Sequence, residues 1–118
     1  PPIVVHKELW DMVGGLSIEF SPGMYSDPDL SMKLAEAGVR TFKGLGKSLV
    51  YHFGSKSTRR VKKNLGRRMF ILKWGISSRI FMHNYLKIGQ KYQGLLKDFN
   101  WKENQSFLDK LKRIWACF

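Results

Sequence analysis

At 118 residues the chain is long enough for one domain with a real core and too short for two. Its single cysteine, Cys117, excludes an intrachain disulfide and fits a reducing compartment, and no apolar run is long enough to cross a bilayer. The net charge of +12 is confined to one stretch: Lys56 to Lys97 holds twelve Lys or Arg and no Asp or Glu, while the remainder carries nine of each. An excess gathered in this way attracts anions, whether phosphorylated ligands, nucleic acid or acidic lipid headgroups.

The chain opens on PIVVH (residues 2–6), a β-branched run that reads as a buried strand. It has neither an initiator methionine nor a signal-peptide pattern, and such an opening reads as a fragment boundary. KELWDMV (7–13) fits one or two helical turns closed by Gly14-Gly15, where glycine accepts positive φ. LSIEFSPGMYS (16–26) reads as a loop with a short extended piece, because Pro22 and Gly23 interrupt its alternation. Asp27, Pro28 and Asp29 then suit the N-cap, the first helical position and the positive field of a helix over 27–37. Leu30, Leu34 and Ala37 recur at helical spacing, and Gly38 stops the helix. VRTFKGLG (39–46) and KSLVYHF (47–53) are strand candidates joined by a turn at Gly44–Gly46, the second ending at His52.

From Ser57 onward the texture changes. Proline is absent and long side chains dominate, which predicts helices with Met69, Leu72, Ile76 and Ile80 on apolar faces, extended by Met82 and Tyr85. A last helix is predicted over 104–115, its apolar face made of Phe107, Leu108, Leu111, Ile114 and Trp115. Trp10 and Trp74 could form a sugar-stacking platform, although aromatics at helical spacing are more often core. No Cys/His cluster spells a zinc site, no Ser-His-Asp order suggests a hydrolase, and no Walker-type loop is present. His6 and His83 have no partner constellation.

Three segments follow one another in a telling order: MVGGLSIEF (12–20), SDPDLSMKLAEAG (26–38) and VYHFGSKST (50–58). Together they resemble the C-terminal half of the catalytic domain of family-2, inverting glycosyltransferases of the GT-A fold. That family's pattern is a Gly-Gly after a short helix and an acidic segment opening a helix that ends in Gly. Two strands and a His followed by a small residue and Ser complete it. RRMFILKWG (67–75) resembles the tail of members that transfer rhamnose or related sugars, so the likeness covers about residues 2–75. It implies an α/β architecture, with an acceptor-side half at 1–58 followed by a basic helical extension at 59–118.

The resemblance also implies roles. Inverting transfer displaces a nucleoside diphosphate by in-line attack of an acceptor hydroxyl, which needs a base within hydrogen-bond reach. The motif match makes Asp27 that base and Asp29 its helix-side partner, with Gly14, Gly15 and Trp10 at the acceptor. His52 falls where the family places a metal- or diphosphate-contacting histidine. Lys56, Ser57, Arg59 and Arg60 lie in a loop that can fold over phosphates through cations and backbone N–H groups, or stand as a plain solvated basic loop. The implied partners are a nucleotide-sugar donor, a saccharide or lipid-linked acceptor, and Mn²⁺ or Mg²⁺ held mainly by the nucleotide-binding half.

Two departures qualify the match. Ser26 stands where the family has its first acid, leaving one candidate base in the motif. The metal-binding Asp-x-Asp of the nucleotide-binding half is not matched, since Asp27-Pro28-Asp29 has the letters but occupies the acceptor-side position. The isolated chain is therefore expected to be inactive. A rival reading makes it a non-catalytic basic module, with Arg and Lys interleaved among aromatics over 67–92 to grip nucleic acid. Peripheral attachment to an anionic membrane, on the cytoplasmic side and with Phe70, Ile71 and Trp74 inserting, is preferred because a lipid-linked acceptor would reside there.

Overall fold

A computed structural model describes residues 3–22, 24–51, 65–98, 100, 101, 103 and 105–118. In chain order these form α1 (Lys7–Val13), a 3₁₀ turn (Ile18–Phe20), α2 (Ser26–Glu36) and α3 (Gly66–Trp74). Then come α4 (Ser78–Ile80), running into a π-helical turn (Phe81–Tyr85), and α5 (Phe107–Trp115). Among the described residues there is no strand and no sheet, which overturns the expected α/β GT-A architecture. The strand candidates fail for a common reason. Val4, Leu49 and Tyr51 are 89%, 85% and 87% exposed, with no neighbouring strand beside them. β-Branched and aromatic residues favour strands only on a pleated, half-buried surface, and here none is provided.

The helices begin and end for local reasons. His6 Nδ1 accepts from the Glu8 amide at the start of α1, and Gly14 closes it at φ 72°. α2 starts at Ser26, after Tyr25 in the left-handed region at φ 71°, so Asp27 is not the N-cap that the sequence predicts. Pro28 still lies in the first turn, where a missing N–H costs nothing. Past the C-terminal end of α2, the Arg40 guanidinium donates to the carbonyls of Ala35 at 2.7 Å and Val39 at 3.1 Å. α5 opens on Ser106, whose Oγ accepts from the Asp109 amide at 3.1 Å and donates to Asp109 Oδ2 at 2.9 Å.

Phe20, Met32 and Ala35 from the first part of the chain share one apolar cluster with Phe70, Trp74, Ile76, Phe81 and Tyr85 from the second. Trp101 meets Trp74 edge to face at 6.2 Å. Phe70 and Trp74 are buried in this packing and Ile71 is buried beside it at the floor of a groove, so none of the three projects from the surface as an inserting side chain would. Gly66 is where α3 comes closest to the mouth of α2: a β-carbon there would collide with the Met24 carbonyl and the Tyr25 ring. Close approach at this point sets the distance between the two helices.

Candidate functional site

The centre of the site is Asp29. Its carboxylate is fully buried, and a buried charge is tolerated only when paired and hydrogen-bonded. Oδ2 accepts from Ser17 Oγ at 2.6 Å, Oδ1 accepts from the Trp74 indole at 2.8 Å, and Lys73 Nζ lies 2.9 Å from Oδ1. Three separate segments thus converge on one side chain: the loop after α1, the first turn of α2 and the last turn of α3. Asp29 is therefore a positioning group. Its oxygens are turned to the protein's own donors.

Lys73 carries the positive side of the cluster. It donates to Glu19 Oε1 at 2.8 Å and Ser17 Oγ at 3.0 Å, and its ammonium lies 5.5 Å from the Phe20 ring centroid and 5.3 Å from that of Trp74. Burial works against the charged ammonium, but the hydrogen bonds from Lys73 to Glu19 and Asp29 and their charges outweigh it, holding its pKa above the ordinary lysine value. The hydrogen bond from Lys73 is the leading cause that keeps Glu19 below the ordinary carboxylate range, aided by a backbone hydrogen bond.

A second lysine joins the Gly-Gly turn to the same helix. Lys33 Nζ donates to the Val13 carbonyl at 3.0 Å and also to the Gly15 carbonyl. Gly15 sits at φ 63° against the Trp10 indole, and a β-carbon would meet that ring at 2.8 Å. The segment from Gly14 to Ser17 is consequently held along α2 at Lys33 and Asp29. Of the sequence-nominated residues, Trp10, Gly14, Gly15 and Asp29 are brought together by these contacts. Asp27 is half-buried near the start of α2, two positions before the buried Asp29, and its carbonyl accepts from Ser31 Oγ at 3.0 Å. His52, Lys56, Ser57, Arg59 and Arg60 lie outside the described residues.

The donor set does not suit a divalent cation. Asp29 is engaged by an ammonium, an indole and a hydroxyl, and Glu19 faces the same ammonium. A dication there would meet Lys73 head-on. Among the described residues, no group of three or more His, Cys, Asp or Glu is disposed to hold a metal ion. Ser17, Glu19 and Lys73 were not singled out by sequence reasoning. A lysine adjoining a tryptophan 44 positions beyond an aspartate carries no local signal, and only the fold pairs them. None of the family models, curated proteins or solved structures compared with this chain matches it.

Proposed function

We propose that this chain is the acceptor-side portion of an inverting glycosyltransferase that moves a sugar from a nucleotide-sugar donor to an acceptor hydroxyl, with Asp27 as general base. The observation that carries the reading is the joining of two motif segments by Lys33 and Asp29. The Gly14-Gly15 turn and the acidic mouth of α2, consecutive segments in the resemblance, are tied side by side. A base must be held still within reach of its proton, and the buried Asp29 hub fixes the turn on which Asp27 stands. Burial supports this division of labour: Asp29 is enclosed among the protein's own donors, and Asp27 is only half-buried. No step is routed through a metal. On this reading the protein lies on the cytoplasmic side at the inner membrane face, because a lipid-linked acceptor would reside there. Among the described residues no helix is long and apolar enough to cross a membrane.

The test is Asp27→Asn in the enzyme carrying this segment, assayed for transfer and, separately, for nucleotide-sugar binding. The expected result is a ~10²–10⁴-fold fall in turnover with binding nearly unchanged, the usual effect of losing a general base. Wild-type turnover would remove Asp27 from the reaction.

A further inference from the structure

The apolar face of α5 points the wrong way for a helix that only packs on its own protein. At about 100° per residue, Phe107, Leu108, Leu111, Ile114 and Trp115 fall within an arc of roughly 120°. Lys110, Lys112 and Arg113 occupy the remaining surface with Asp109, and that single acid is buried at the helix cap. A core-facing helix would bury the apolar arc. Here Phe107, Leu108, Ile114 and Trp115 are all more than half exposed, as is Phe118 just beyond. The arc continues into a groove of about 550 Å³ between α3 and α5, walled by Leu65, Ile71, Leu108, Leu111 and Trp115. Arg67 and Lys112 stand on its lining, and Arg68 Nε braces the two helices by donating to the Ala116 carbonyl at 2.5 Å.

We propose that α5 and the α3–α5 groove form a docking surface for an anionic phospholipid bilayer. This deepens the membrane-side reading given above but does not depend on sugar transfer. Charge selects the occupant. The exposed side chains flanking the apolar arc are cationic, and α3 and α4 add Arg67, Arg68 and Arg79 with no acid between Lys56 and Lys97. Acyl chains would take up the apolar arc and groove while headgroup phosphates meet the cations, the division that an interfacial amphipathic helix makes. Trp115, at the C-terminal end, suits the headgroup boundary, where an apolar ring with one polar N–H is favoured. A second copy would bring like-charged rims together across the interface. Nucleic acid would satisfy the cations but leave Phe107 and Ile114 in water.

The experiment is co-sedimentation of the 118-residue chain with phosphatidylcholine vesicles, with and without phosphatidylglycerol, and with no nucleotide sugar present. Its failure would thus leave the transfer reading standing. Binding is expected to require the anionic lipid and to weaken as salt rises. Phe107→Ser with Trp115→Ser should bind about tenfold or more weakly at low salt, with unchanged far-ultraviolet circular dichroism. Should the pair lose helicity, Phe107→Ser alone at its exposed position makes the same comparison. Arg67→Gln with Lys112→Gln should flatten the salt dependence. Undiminished vesicle binding by the serine variants overturns the proposal. So does α5-dependent dimerisation without vesicle binding, or capture by an oligonucleotide in preference to the anionic vesicles.

Discussion

The indole Nε1–H of Trp74 donates to Oδ1 of Asp29 at 2.8 Å, linking residues 45 positions apart across the seam between α2 and α3. Both partners are buried, so neither can exchange the other for water without exposing core. Removing the acid should therefore cost more than removing the indole donor. Asp29→Ala is expected to lose ~2–4 kcal/mol, because the buried Trp74 indole loses its acceptor and Ser17 loses another, while Lys73 keeps Glu19. Trp74→Phe is expected to lose ~1–2 kcal/mol, from one hydrogen bond to a carboxylate oxygen that keeps Lys73 and from the smaller ring in the core. Urea unfolding of the two variants measures both, and an Asp29→Ala loss below ~1 kcal/mol would show that the hub is dispensable.

The pH dependence follows from the same cluster. Glu19 has a lowered pKa in the folded chain, so the stability it contributes is present above its ordinary value of about 4.5 and is lost as pH falls through the folded value. Lys73 has a raised pKa, so its contribution is present below the ordinary 10.5 and is lost only as pH rises through the folded value. Thermal melts should thus show an acid-side decline that Glu19→Gln flattens. An identical decline in that variant would mean that Glu19 is not linked to folding.

Gly15 is fixed by space as well as by dihedral angle, and Gly14 by dihedral angle alone. Gly15→Ala forces a side chain into the left-handed region and against Trp10, and is expected to cost ~1 kcal/mol for the backbone plus ~1–3 kcal/mol for the collision. Gly14→Ala, at φ 72° with open space around it, should lose only the backbone part. Equal melting temperatures for the two variants would contradict the packing of Trp10 under the turn.

At α5 the decisive residue is the cap. Ser106→Ala should destabilise the helix by ~1 kcal/mol, by removing the acceptor for the Asp109 amide and the donor to Asp109 Oδ2. Asp109 Oδ1 already has no hydrogen-bond partner among the described residues, so the buried carboxylate has little in reserve. Amide hydrogen exchange should speed up across Phe107–Trp115 while α2 is unaffected. Exchange that is unchanged in α5 would reassign its stability to the contacts with α3.

Local chemistry was legible in the sequence, and long-range pairing was not. The helix predicted over 27–37 forms as Ser26–Glu36, the one over 104–115 as Phe107–Trp115, and KELWDMV closes at Gly14 as glycine permits. Apolar spacing and stop signals act within one or two turns, so a single segment suffices to read them. The strands expected at 39–46 and 47–53 do not form over the described residues 39–51, because a strand is stabilised by its neighbours, and composition shows propensity without showing a partner. The same limit hid the site. Asp29 looks like an exposed helix-start acid until Trp74 and Lys73 are placed over it. The inward face of α3 was legible only in part: Met69 packs against the core as expected, but the buried side chains are Phe70, Ile71 and Trp74.

The shared cluster of Phe20, Met32, Phe70 and Trp74 makes the covalent connection between the two parts partly redundant. Leu49, Val50 and Tyr51 are exposed, outside helices and open to a protease, while the surfaces that clasp across the seam lie elsewhere. A chain nicked at Tyr51 should therefore migrate as two peptides under denaturing conditions yet elute as one particle from a sizing column. The same two pieces, produced separately, should find each other on mixing, and Asp29→Ala in the first should keep them apart.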